Sequence, residues 1–165
     1  NVSQSRQPVN SARLPPYVEF VKRRAGWEKS GPELVQASLE ILRRELRLVP
    51  VENPFAAFKK RFEMDLQWLI NDTLATFHRY SFATLRQFGA CFELASTYLK
   101  WLRQEQVAGL DNSIHAFSEL CTGAKTIQFQ LARAMARKKP LDLTLLDSMA
   151  QTWQTGMNDL KSRFA

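Results

Sequence analysis

The stretch FHRYSFATLRQFGACFELASTYLKWL, residues 77–102, decides the fold class of this chain. Within it Leu85, Phe88, Phe92, Ala95, Leu99 and Leu102 recur at alternating steps of three and four, the spacing of one helix face. A second apolar row, Cys91, Leu94, Tyr98 and Trp101, runs beside the first. One stripe suffices for a surface helix. Two adjacent stripes cover roughly half the circumference and predict a helix at the centre of the packing. The same segment carries His78, Arg79, Tyr80, Arg86, Gln87 and Glu93, so it offers a polar row as well as a core.

Similar spacing extends to both sides. Upstream, Asn53-Pro54 makes a helix cap and first turn, and Phe55, Phe58, Phe62, Leu66, Leu69 and Thr73 follow on one face. Carried on through Gln106, that helix would reach about 75 Å at 1.5 Å per residue, too long for a domain of this size. The reading therefore ends it between Phe77 and Ser81 and makes Ser81 the cap of the central helix. Earlier still, Ser30-Gly31-Pro32-Glu33 opens a shorter helix over 32–48, with Leu34, Leu39, Leu42, Leu46 and Val49 inward and Pro50 as its stop.

Downstream, Gly109 and Asp111 break the pattern. A row of Phe117, Leu120, Ala124, Ile127, Leu131 and Ala134 follows and closes in Arg137-Lys138-Lys139 before Pro140. A last helix begins near Asp142 and buries Leu146, Met149, Trp153, Met157, Leu160 and Phe164. No β-type alternation of useful length occurs. The expectation is an all-α fold: an antiparallel up-down helical bundle of four long helices, plus the shorter N-terminal helix and an extended N-terminal arm. Residues 1–16, polar and holding three prolines, read as a linker or arm. Residues 17–165 read as a single bundle domain that opens on a short amphipathic helix or extended segment.

Composition narrows the function classes. At 165 residues, 45% hydrophobic and 24% charged, the chain is an ordinary globular domain. It has no apolar run long enough to cross a membrane. Two cysteines, Cys91 and Cys121, sit in apolar rows and read as free core thiols in a reducing cytoplasm rather than as a disulfide framework. Asn1-Val2-Ser3 and Asn71-Asp72-Thr73 match a glycosylation sequon and are read as chance, the second because it falls inside a helical pattern. The net charge is +7, and residues 1–62 carry 12 Lys/Arg against 6 Asp/Glu, so nearly all the excess lies in the first third. Such a field favours an acidic partner.

Four groups of residues are candidate sites. His78, Arg79, Tyr80, Arg86, Gln87 and Glu93 form a ligand-binding or structural polar network. Arg79, Arg86 and Glu93 are seven apart on one face, and the small residues Ala83, Gly89, Ala90 and Ser96 allow another helix to approach closely. An arginine buried there would bind a carboxylate or phosphate, or fix helix register through an ion pair. Asp111, His115 and Glu119, four apart, have the spacing for a metal. With only two histidines and no Glu-x-x-His, no metal or other cofactor is expected. Neither cysteine has a motif linking it to a histidine, so no catalytic residue is assigned. The last group is basic: Lys22, Arg23 and Arg24, then Arg43, Arg44 and Arg47, then Lys59, Lys60 and Arg61. The six from Arg43 to Arg61 are the expected docking surface. No helix-turn-helix signature accompanies them.

The segment HRYSFATLRQFGACFELASTYLKWL, with LPPYVEFVKRR upstream, resembles the C-terminal part of the uncharacterised bacterial family known as domain of unknown function 1839. FATLRQFGACFELA is the most specific element, and the resemblance spans about residues 14–105. It implies a helical C-terminal region of a protein about twice as long. The N-terminal half, absent from this chain, has a cysteine-peptidase-like or acyltransferase-like character. It also implies an association with amino acid:carrier protein ligases. No catalytic residue carries over.

The reading that results is a non-catalytic interaction module, cytoplasmic and without membrane contact. It docks an acidic protein, a carrier protein in amino-acyl or acyl transfer, and works beside the missing N-terminal domain. Two alternatives stay open. One is a small-molecule-binding or acyltransferase-associated domain using the Arg86/Glu93 row. The other is nucleic-acid binding through the basic third.

Overall fold

Three turn sequences set the architecture. Asn53 Oδ1 accepts the Phe55 amide at 3.1 Å and starts α2, Pro54–Leu69. Thr73 Oγ1 accepts the Thr76 amide at 3.3 Å and starts α3, Leu74–Ser81. Asp142 accepts both the Thr144 amide, at 2.9 Å, and the Thr144 hydroxyl, at 3.0 Å, at the start of α6, Thr144–Phe164. Each uses a short polar side chain to satisfy donors that the first helical turn leaves free. The computed structural model describes residues 26–165. The N-terminal linker and arm, and Lys22, Arg23 and Arg24, lie outside the described residues.

The described residues are helical throughout, joined by turns. Besides those named, α1 is Gly31–Leu48, α4 is Gln87–Gln104 and α5 is Asp111–Arg137. Contacts across α4 and α5 run in opposite order along the two chains: Glu93 meets Lys125, Ser96 meets Ser118, and Arg103 meets Asp111. The α5/α6 pair behaves likewise, Gly123 lying against Met149 and Ser113 against Gly156. So does α2/α6, through Asn53 to Ala150 and Lys59 to Asp147. These neighbours are antiparallel.

Two expectations about the central segment change. The break before it is at residues 70–73, not between Phe77 and Ser81. Ser81 caps nothing: α3 continues through a π-helical turn, Phe82–Arg86, directly into α4. The reason is visible in the spacing. Phe77, Ser81, Leu85 and Gly89 are all buried and each is four residues from the next. Four residues advance about 40° too far on a helix of 3.6 residues per turn. The wider π turn takes up that drift and keeps the four on one face. The Asn71 sequon thus lies in an exposed turn rather than inside a helix.

The centre of the packing is α5 rather than α4. It lies between α4 and α6, touches α3 and the π turn, and buries Phe117, Leu120, Ala124, Ile127, Leu131 and Ala134. The first apolar row of α4 faces it, with Leu99 and Leu102 fully buried. The second row does not. Cys91 is exposed, against the expectation of a core thiol, and Leu94 is 70% exposed. Only Tyr98 and Trp101 of that row are partly covered, and the Tyr98 hydroxyl donates to the Ser38 carbonyl of α1 at 2.7 Å. On α1 itself Leu46 is buried, while Leu34 is exposed and Val35 packs instead.

Ser81 is fully buried, and its hydroxyl has no hydrogen-bond partner among the described residues. An unpaired buried hydroxyl costs on the order of 1 kcal/mol or more. Ser81→Ala is therefore expected to raise the unfolding free energy by about 1 kcal/mol. Chemical denaturation measures this directly. A loss of stability would show that the hydroxyl is paired in solution.

Candidate functional site

The polar row of the α3–α4 segment does not converge. His78, Arg79, Arg86, Gln87 and Glu93 are all exposed. The π turn lies between Arg79 and Arg86, so the seven-residue register that put them on one face is broken there. Arg79 donates to Thr76 Oγ1 at 3.4 Å. The Arg86 guanidinium sits 5.6 Å from the centre of the exposed Phe82 ring. Glu93 faces α5, with the Lys125 ammonium at 3.6 Å and the Cys121 thiol donating at 3.8 Å. Beside it Ser96, Thr97, Lys100 and Ser118 border a depression of about 200 Å³. The small residues act as expected where they are buried: Gly89 admits Ala124, and Ser96 pairs with Ser118 at 2.8 Å. Ala83 and Ala90 are exposed.

Tyr80 alone of the row enters a buried polar contact. Its hydroxyl donates to Asp65 Oδ2 at 2.9 Å, and Arg61 Nε lies 3.1 Å from the other carboxylate oxygen. Asp65 is 6% exposed, on the α2 face that also buries Phe62, Leu66 and Leu69. Burial pushes its carboxyl up. The hydrogen bonds from Arg61 and Tyr80 outweigh that and hold it below the ordinary carboxylate range. The Tyr80 phenol is pushed far above its usual value by burial and by the Asp65 carboxylate. Phe62 stacks on Tyr80, ring centres 6.1 Å apart, and Trp68 meets Tyr80 edge-on. The cluster ties α2 to α3 across the 70–73 turn.

Sequence spacing alone does not single out Asp65. The signal was there, in an acidic residue three places after Phe62 and one before Leu66, on a buried face and four from an arginine. Because its folded carboxyl is depressed, its contribution to stability is present above the ordinary carboxylate range and is lost as pH falls through the folded value. Asp65→Asn is expected to flatten the acid limb of the stability profile between about pH 5 and pH 2. Urea midpoints measured across that range test it. A variant whose acid limb matches the wild type would contradict it.

The basic surface is partly spoken for. Lys59 Nζ donates to both Asp147 oxygens, at 2.7 and 2.8 Å, and this bond holds the ammonium above its ordinary range. Arg61 is committed to Asp65, and Arg44 to Glu45 at 2.9 Å. Arg43, Arg47 and Lys60 have no ion-pair partner among the described residues, with Arg47 and Lys60 exposed and Arg43 half-buried. Asp147, which anchors Lys59 to α6, is a second residue that sequence spacing did not reveal, since the two are far apart in the chain.

The Asp111, His115 and Glu119 row separates. Asp111 pairs with Arg103 at 2.6 Å, and His115 Nε2 is 3.3 Å from Glu119. No group of three metal-ligating side chains occurs among the described residues. None of the described helices is long and apolar enough to cross a membrane.

No curated protein and no solved structure matches the chain. A family model does match, over residues 31–162, and takes in α1 through most of α6. That span continues well past residue 105, where the sequence resemblance stopped, and omits residues 14–30. The match reaches into every described helix and takes in the turns at 70–73 and 138–143, and on that ground the chain belongs to the DUF1839 C-terminal domain family.

Proposed function

We propose that this chain is a non-catalytic helical interaction module that docks an acidic protein on its basic surface. The observation that carries the reading is the charge asymmetry, a net excess of cations concentrated in residues 1–62. Arg43, Arg47 and Lys60 support it, because they keep their charge unpaired among the described residues. Charges left free on a surface steer association and fix orientation more than they stabilise the fold. The family's association with amino acid:carrier protein ligases points to a carrier protein as the acidic partner. In that reading the module is the helical part of a longer protein and serves its N-terminal domain, and the α2–α3–α4 unit with its Asp65–Tyr80 lock is a rigid support.

The test separates free cations from committed ones. Reversing Arg43, Arg47 and Lys60 to glutamate is expected to weaken binding of a purified acidic carrier protein at least about tenfold at low salt, or 1.4 kcal/mol. Lys59→Gln and Arg61→Gln are expected to change binding less and to lower stability slightly instead. Unchanged binding in the triple variant would refute the docking surface.

A further inference from the structure

We propose that the groove where α2 meets the α5–α6 connection binds an anionic amphiphile, a molecule with a phosphate-type headgroup and a hydrocarbon tail. The structure places two adjoining depressions there. One, of about 530 Å³, is lined by the apolar side chains of Leu66, Ile70, Pro140, Leu141 and Leu143. The other, of about 250 Å³, is lined by Arg133, Arg137 and Lys139 with Gln130. Pro140, Leu141 and Asp142 border both, so the apolar and the cationic parts are continuous.

The cations exceed what the helix end uses. Positive charge complements a helix C-terminus only over its last turn, and Arg133 lies before that turn. Arg133 and Arg137 are four apart on one helix, where like charges repel. Neither they nor Lys139 has an ion-pair partner among the described residues. Lys138, by contrast, is occupied: its ammonium donates to the carbonyls of Ile70 at 2.9 Å and Asp72 at 3.4 Å. A multivalent oxyanion would relieve the repulsion and accept from both guanidinium groups.

Gln130 lines the same depression beside these cations. Two carboxylates of the groove keep their charge. Lys59 neutralises Asp147, but Thr144 only donates neutral hydrogen bonds to Asp142, which hold its carboxyl below the ordinary range, and Glu63 lies on the rim of the apolar depression. The three cations at the headgroup end outnumber these two.

The groove is distinct from the proposed docking cations, and the two readings fail separately. Below its micelle concentration, decyl phosphate is expected to bind the full chain at least about tenfold tighter than either decanol or inorganic phosphate. Isothermal titration calorimetry and amide shift mapping measure it, with shifts at Arg133, Lys139 and Leu141. Arg133→Gln with Arg137→Gln, both exposed and outside the core, should remove the advantage of the phosphate over the alcohol. Leu141→Asn should reduce the gain on lengthening the tail from hexyl to decyl. The glutamate variant at Arg43, Arg47 and Lys60 should bind the amphiphile as the wild type does. Equal binding of decyl phosphate and decanol, or full phosphate preference without the two arginines, would overturn the proposal. So would tight binding by inorganic phosphate alone, which would mark a plain anion site.

Discussion

Phe62→Ala is expected to destabilise the fold by about 3–5 kcal/mol, the largest single effect among the substitutions considered. Phe62 has no exposed surface. Its ring stacks on Phe58, centres 5.6 Å apart, and on Tyr80 at 6.1 Å. Phe58 in turn stacks on Phe88 of α4, and Phe88 meets Phe55 edge-on at 5.3 Å. The aromatic row therefore holds α2 against both halves of the α3–α4 segment. Alanine would remove the ring's transfer energy and leave a cavity bordered by rigid rings that cannot close it. The loss should also release Tyr80, so that its hydroxyl samples positions away from Asp65. Denaturation curves and the acid limb of the Asp65 profile should change together. A loss below about 1.5 kcal/mol would mean that the row rearranges freely.

Gly156→Leu is the second large effect, at about 3 kcal/mol. A Cβ built on Gly156 would lie 2.9 Å from Ala116 Cβ and 3.1 Å from the Phe117 ring, both on the buried face of α5. Neither neighbour is the far end of a flexible side chain. The backbone contact is equally close, because Ser113 Oγ donates to the Gly156 carbonyl at 3.1 Å and to Asp159 at 2.8 Å. A larger residue must push α6 away from α5 and break that bond. Thermal unfolding should shift down, and the Gly156→Ala variant should fall in the same direction by less. Wild-type stability for Gly156→Leu would contradict the close packing of these two helices.

The sequence spoke clearly on helix content and on most inward faces. The rows of α2, α5 and α6 are buried much as their spacing predicts, because one uninterrupted helix keeps its phase. The α3–α4 segment was misread because it does not keep phase. A π turn absorbs an extra residue there, so Ser81 reads as a cap, while Thr73 reads as a member of the preceding row because the four-residue step from Leu69 runs on through the break at 70–73. Backbone hydrogen-bond pattern carries no direct mark in residue type at that point; the run of four-residue steps through Phe77, Ser81, Leu85 and Gly89 was the only trace. The second apolar row of α4 made it seem central. Cys91 and Leu94 are instead exposed, since apolar residues are common on protein surfaces and a stripe does not say which neighbour covers it.

The site was less legible, for a related reason. Arg86, the last residue of the π turn, and Glu93 of α4 are linked by a seven-residue interval, but each is satisfied by a different neighbour: an aromatic ring on its own segment, and Lys125 and Cys121 on α5. Asp65–Tyr80 and Lys59–Asp147 join residues whose pairing depends on how helices sit in space. Charge counting located the basic third, but could not separate Lys59 and Arg61, which are committed to Asp147 and Asp65, from Lys60, Arg43 and Arg47, which have no ion-pair partner among the described residues.

The most direct measurement of the central claim is the binding isotherm of the wild-type chain with a purified acidic carrier protein, beside a single-stranded oligonucleotide, at low and high salt. The account predicts saturable binding to the protein that weakens steeply as salt screens the basic surface, with no comparable saturation by the oligonucleotide. Binding to the oligonucleotide alone, with a steep salt slope and none to the acidic protein at low salt, would contradict it.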